Sequence, residues 1–161
     1  MSSSSPAPRP DLASLLTILG DAVSAEVVAA LAGTGLRHGH GYLVQRLLVT
    51  PATATELAGE LGVTQQAVSR TVKELVALGH VEMTTDPSDS RRRPVRLTRR
   101  GRAAVTRARR ARADLDARVR DALGADRVDR LVTDLGAVVD ALDLRDGVDR
   151  RTLRPPTPDL R

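Results

Sequence analysis

Apolar and polar positions follow two periods along this chain, and the switch between them marks its parts. From Asp11 to Leu31 apolar residues fall at Leu12, Leu15, Leu16, Leu19, Val23, Val27 and Ala30, the stripe of an amphipathic helix. Gly33-Thr34-Gly35 breaks it. A second helix is predicted from about His40 to Val49, with Leu43, Val44, Leu47 and Leu48 inward and Thr50-Pro51 ending it. Further along, Ala104, Ala108, Ala111, Leu115, Val119 and Ala122 form the stripe of a long helix that Thr98 caps and Gly124 ends. Its alanines let a neighbour come close. A last helix carries a wider stripe at Val128, Leu131, Val132, Leu135, Val138, Val139 and Leu142.

The segment from Thr53 to Gly101 organises the rest. Thr53 followed by Glu56 has capping-box spacing, Leu57, Ala58 and Leu61 share a face, and Gly62 is placed to turn the chain. Thr64 is an N-cap for the next helix, in which Val68, Val72, Leu75 and Val76 line one face and Gly79 closes the end. Gln65, Gln66, Ser69, Arg70 and Lys73 stand on the other face, which carries donors and no carboxylate before Glu74. Two helices joined by a short turn, the second rich in donors, match a helix-turn-helix whose second helix enters the DNA major groove. The period then becomes two: Val81 and Met83, then Val95 and Leu97, alternate with polar residues and predict a hairpin. Pro94 cannot donate to a sheet ladder, so the returning strand is expected at an edge. Between the strands lies a turn-forming run ending in Arg91-Arg92-Arg93. A basic hairpin here is a wing whose tip can reach phosphates or the minor groove. Asp89 is expected to hold Arg91 in pose through a charge-assisted bond.

These residues resemble the winged-helix regulators of the multiple-antibiotic-resistance (MarR) family. The family's wing has an aspartate, one residue, then an arginine, here Asp89-Ser90-Arg91, and follows it with Leu-Thr-x-x-Gly, here Leu97-Thr98-Arg99-Arg100-Gly101. The expected fold is mainly α with a small β-hairpin wing. A winged helix-turn-helix DNA-binding lobe (36–101) lies between an N-terminal dimerisation helix (11–35) and C-terminal dimerisation helices (102–145), with a disordered tail at 1–10 and a loose tail at 146–161. The candidate DNA contacts are Thr64, Gln65, Gln66, Ser69, Arg70 and Lys73 on the second helix, and Asp89, Arg91, Arg92 and Arg93 on the wing. The amphipathic helices outside the lobe leave apolar surface that wants a partner. In the family such helices interlock in a homodimer, and a two-fold dimer sets two recognition helices about 34 Å apart, which suits a pseudo-palindromic operator. The alternative is a compact monomeric bundle. The family also implies a small phenolic or anionic effector between the dimerisation helices and the lobe, for which Arg37, His38, His40 and Tyr42 are the candidates.

Charge and composition support this reading. The net charge is +5, but residues 86–120 hold thirteen arginines against four aspartates, and residues 121–149 three against eight. The basic block starts at the wing, where DNA would lie, and supplies salt-sensitive binding. With no cysteine, disulfides and thiol redox sensing are excluded; with one tyrosine and no Phe or Trp, the core must be Leu, Val and Ala. No apolar run is expected to act as a signal peptide or membrane span, which makes the protein cytoplasmic and soluble. His38, His40 and His80 sit in no nucleophile or triad pattern, the glycines at 33–41 lack the lysine of a phosphate loop, and His38-x-His40 has no third metal ligand. His80 itself is expected to act at the helix C-terminus or on a backbone phosphate. No enzyme, cofactor or metal is therefore expected. Two functions stay open: a sequence-specific double-stranded DNA-binding regulator, a homodimeric repressor relieved by an effector, or an architectural or constitutive DNA-binding protein without one.

Overall fold

The computed structural model describes residues 9–85, 88–89 and 91–150. The expected disordered start (residues 1–8), Asp86, Pro87 and Ser90 of the hairpin turn, and the tail from 151 on lie outside the described residues. The elements run α1 (Leu12–Ala30), α2 (His40–Leu47), α3 (Ala54–Leu61), α4 (Gln65–Ala77), β1 (Val81–Met83), β2 (Val95–Leu97), α5 (Arg99–Leu123), α6 (Ala125–Ala141) and α7 (Arg145–Arg150).

Local chemistry sets most of these boundaries. Asp11 caps α1 by accepting from Ser14 N at 2.7 Å. Thr53 and Glu56 form the reciprocal capping box of α3, and Gly62 ends it in the left-handed region at φ +62°. Thr64 accepts from Ala67 N at 3.2 Å to start α4. Thr98 does the same for α5 through Gly101 N at 3.1 Å. The core is the winged-helix lobe itself: Leu43, Val44 and Leu47 of α2 meet Leu57, Val68, Val72 and Leu75, closed by Val81, Val95 and Leu97 of the hairpin. Leu57 and Leu75 are fully buried, and aliphatic side chains fill the space that aromatics would take elsewhere.

Several expectations need correction. Val76 and Met83 are exposed, because only Val68, Val72 and Leu75 of α4 and Val81, Val95 and Leu97 of the hairpin face the core. Leu48 keeps its inward place, half-buried against the core one residue past the end of α2. The hairpin pairs antiparallel with Val81 opposite Leu97 and Met83 opposite Val95. Yet β2 is no simple edge, since Val95 also exchanges two backbone bonds with Ala52 on its far side, at 2.9 and 3.2 Å. Pro94 is tolerated because its carbonyl only accepts, from Thr84 N at 2.9 Å. The loose tail expected from residue 146 begins instead with a helical turn, α7, fastened where Arg145 bonds both carboxylate oxygens of Asp140 and the Gly136 carbonyl.

Helix α1 corrects the expectation about apolar runs. It has 19 residues and a mean hydropathy of 1.7, enough by length and composition to cross a bilayer. Leu, Ile, Val and Ala fill its stripe and half of its other positions, so periodicity hid the high mean. Asp21 and Glu26 interrupt it, and Glu26 pairs with Arg118 of α5. None of α1 is buried; its second half leans on α5, and Leu12, Ile18 and Leu19 are 57–60% exposed. Beyond α5, Val128 is the buried anchor of α6, and Arg120 bonds Asp116 and Asp129, each at 2.7 Å, across the α5–α6 turn.

Candidate nucleic-acid interface and effector cleft

The recognition helix is built so that one face is committed to the core and the other is open. Val68, Val72 and Leu75 bury one side of α4. Gln65, Gln66, Arg70 and Lys73 are exposed on the other, with Ser69 half-buried among them, and these five line one shallow depression. Thr64 begins the helix, its side-chain oxygen occupied by the cap.

The wing divides its charges. Arg91, Arg92 and Arg93 are all exposed. Asp89 Oδ1 accepts from the Arg91 backbone N–H at 2.9 Å, and the Asp89 carbonyl accepts from Arg92 N at 3.0 Å. The expected bond to the Arg91 guanidinium is thus replaced by one to its main chain, an aspartate-centred turn that sets the path of the loop. Arg92 has a partner within the protein: its Nη2 bonds Glu56 Oε1 at 2.6 Å, tying the wing to the start of α3. Thr53 first, and then Arg92, hold the Glu56 carboxyl below the ordinary carboxylate range. Arg91 and Arg93 have no side-chain partner among the described residues.

What joins wing to recognition helix is the Leu-Thr-x-x-Gly stretch. Thr98 Oγ1 donates to the Gly79 carbonyl at 2.7 Å, and Thr98 N donates to the His80 carbonyl at 3.0 Å. Gly101 lies over that same carbonyl, where a Cβ would come within 2.1 Å of the oxygen. His80 is correspondingly no phosphate ligand. It is fully buried, its Nε2 donates to the Thr34 carbonyl at 2.9 Å, and Nδ1 has no partner among the described residues.

The four candidate effector residues do not all line one hollow. His40 is buried at the start of α2, where Nδ1 accepts from Arg37 N at 3.2 Å and Nε2 meets Glu74 Oε2 at 3.0 Å. The Arg37 guanidinium bonds the same Glu74 oxygen. His40 first, then Arg37, hold the Glu74 carboxyl low. His38 turns the other way, stacking edge-on to Tyr42 at 5.6 Å between ring centroids, with Nε2 3.2 Å from the hydroxyl. The N-terminus of α2 therefore separates two hollows. One, of about 230 Å³, lies between α1, α2 and α5 and is lined by His38, Gln45 and Arg112 over Val27 and Leu31. The other, of about 400 Å³, lies between α2, the α3–α4 turn and α4 and includes His40 and Glu74. Arg37 and Tyr42 border both.

Sequence reasoning missed Arg112, hidden in the arginine-rich run of α5, and Arg46. Arg46 is buried, bonds both carboxylate oxygens of Glu60 and reaches the Thr50 carbonyl at 3.1 Å. The Glu60 bond pushes its guanidinium pKa up. An arginine on the inward side of a short helix was the available signal.

Residues 40–92 match the family model described as MarR family. A MarR family protein of Mycobacterium tuberculosis, solved in complex with salicylic acid, is 32% identical, with 82% of this chain and 98% of that chain covered at a TM-score of 0.60. The chain belongs to the MarR family. Wild-type MarR of E. coli is 25% identical over 82% of this chain and 98% of that one, with a TM-score of 0.64. The transcriptional repressor CouR, solved on a 23-mer DNA duplex, is 26% identical over 80% and 92%, with a TM-score of 0.62. No curated protein matches the chain. As a MarR family member the protein is a DNA-binding transcriptional regulator and not an enzyme.

Proposed function

We propose that this MarR family protein is a cytoplasmic homodimeric repressor that binds a pseudo-palindromic operator and is released from it by a small phenolic or anionic effector. Its carrying observation is the cleft between α1, α2 and α5, where Arg37, Arg112, His38 and Gln45 surround an apolar floor at the junction of the outer helices with the DNA-binding lobe. Two guanidinium groups over an aliphatic wall suit an aromatic acid. A relative solved with salicylic acid, and a relative titled a repressor and solved on DNA, support the same reading. His40 lines the adjoining part of the same α1–α2–α5 junction, and Arg112 joins Arg37, His38 and Tyr42 among the candidates.

The dimer rests on α1. Leu12, Leu15, Leu16, Ile18 and Leu19 are exposed on one helix of a chain whose core lies elsewhere, and a second copy is the occupant that would cover them. Two-fold pairing then presents two copies of α4, with Gln65, Gln66, Ser69, Arg70 and Lys73 toward bases and phosphates and Thr64 at the helix start. Arg91 reaches the minor groove from the wing, with Arg93 on phosphate and Asp89 shaping the turn.

The deciding experiment is a gel-shift titration on the promoter region beside the gene, with salicylate added. Release of wild type but not of Arg112→Ala supports the reading. Operator binding that no aromatic acid disturbs favours the constitutive DNA-binding alternative. Sedimentation tests the dimer separately: wild type should run as a dimer and Leu16→Glu/Leu19→Glu as a monomer, and a folded wild-type monomer at micromolar concentration refutes it.

A further inference from the structure

The hollow between α2 and α4 is distinct from the proposed effector cleft and has a different chemistry. Leu43, Leu61, Val63 and Val68 give it an aliphatic side, Arg37, His40, Tyr42, Thr71 and Glu74 a polar one, and the open hollow measures about 400 Å³. Its fixed polar group is a carboxylate. The Arg37 backbone N–H can only donate, so His40 Nδ1 is the acceptor and Nε2 carries the proton that bonds Glu74. A buried, neutral histidine thus holds the Glu74 side chain from the protein side. From the solvent side Glu74 meets only Arg37 among the described residues, and that side chain is 68% exposed. Both bonds fall on Oε2, and Oε1 accepts none among the described residues. An exposed ion pair of this kind is weak and exchanges readily.

We propose that this cavity binds a lipophilic organic cation, its ammonium on the Glu74 carboxylate in competition with Arg37 and its apolar body against Leu43, Leu61, Val63 and Val68. An anion is disfavoured, because it would have to displace a carboxylate that buried His40 holds in place. Thr71 and Glu74 belong to the recognition helix, so an occupant rests directly on the element that reads DNA.

The test is calorimetric titration of the full chain, without DNA, with 2-phenylethylammonium, and with neutral 2-phenylethanol as the matched control. The ammonium should bind at least tenfold more tightly than the alcohol. Glu74→Gln, which keeps an acceptor for His40, should abolish that preference, with folding checked by circular dichroism. Arg37→Ala should bind the ammonium several-fold more tightly than wild type, because the competing cation is gone; a merely structural Arg37 would give no gain. Equal binding of ammonium and alcohol, an unchanged preference in Glu74→Gln, or no saturable binding in the millimolar range overturns the proposal. DNA and aromatic acids are absent, so the outcome is independent of the effector reading.

Discussion

Replacing Gly101 by alanine tests how the wing is fastened to the recognition helix. Gly101 sits in the first turn of α5, above the carbonyl of His80 that follows α4. An added Cβ would lie 2.1 Å from that oxygen and 3.2 Å from Leu97 Cδ2. Ordinary contacts begin at about 3.5 Å, so the first turn must lift by roughly 1 Å or more. The lift pulls on Thr98, whose amide and hydroxyl bond the His80 and Gly79 carbonyls at 3.0 and 2.7 Å. Helix propensity alone would favour alanine by at most about 1 kcal/mol. Overpacking costs about 1–3 kcal/mol, and weakening two hydrogen bonds costs about 1 kcal/mol each. The opposing terms have different signs and sizes, and the net expectation is a loss of about 2–4 kcal/mol. Urea unfolding followed by circular dichroism reads it directly, with an unchanged slope showing that the midpoint shift is stability. A Gly101→Ala variant as stable as wild type, or more stable, would refute the close-approach account of the Leu-Thr-x-x-Gly motif.

Arg46→Ala should lower stability by about 1–3 kcal/mol, between the values for surface and buried pairs, because the arginine is buried and Glu60 exposed. Arg46→Met should recover part of that loss through packing in the same urea experiment; no recovery would mean that the pair alone is at stake, and full recovery that packing alone is. Glu56 has a depressed folded-state pKa, so its contribution is present above its ordinary value of 4.5 and is lost as pH falls through the lower folded value. The stability gap between wild type and Glu56→Gln should therefore shrink in the acid range below 4.5, and a gap that widens there would contradict the assignment.

The helix-turn-helix was legible because its signals are local. Thr53, Glu56, Gly62 and Thr64 act within one turn of their own positions, and the structure uses each as its spacing implies. The donor face of α4 was legible for the same reason, since a helical period places Gln65, Ser69 and Lys73 without knowledge of the rest of the chain. Long-range partners were not legible. Nothing near His80 in sequence says that its ring reaches Thr34, forty-six residues earlier, and nothing near Glu74 says that it receives Arg37 and His40. Among so many arginines, sequence separates one type of role poorly. Arg46, Arg118 and Arg145 fasten elements, Arg112 lines a cleft, and Arg91 is open, and only tertiary contacts sort them. The Ala52 bridge to β2 escaped for a related reason: a single residue before a helix cap carries no strand pattern.

That sorting is testable within the wing, where adjacent arginines are assigned opposite roles. Arg92 is paired with Glu56 at 2.6 Å, whereas Arg93 has no such partner among the described residues. Each phosphate contact releases counterions and adds about 0.9 to the slope of log affinity against log salt. Arg93→Ala should therefore reduce the slope by about one unit evenly across DNA sequences. Arg92→Ala should leave the slope nearly unchanged and act on the wing's attachment to α3. Glu56→Gln sharpens the comparison, since glutamine can keep the capping box while it releases Arg92. The released arginine becomes available to phosphate, so the slope should rise, and the rise should vanish when Arg92 is also replaced by alanine. The same rise with Arg92 absent would mean that the lost negative charge of Glu56 acts on DNA by itself. An equal fall in slope for Arg92→Ala and Arg93→Ala would mean that DNA takes Arg92 away from Glu56, and the wing's tie to α3 would then belong to the unbound protein only.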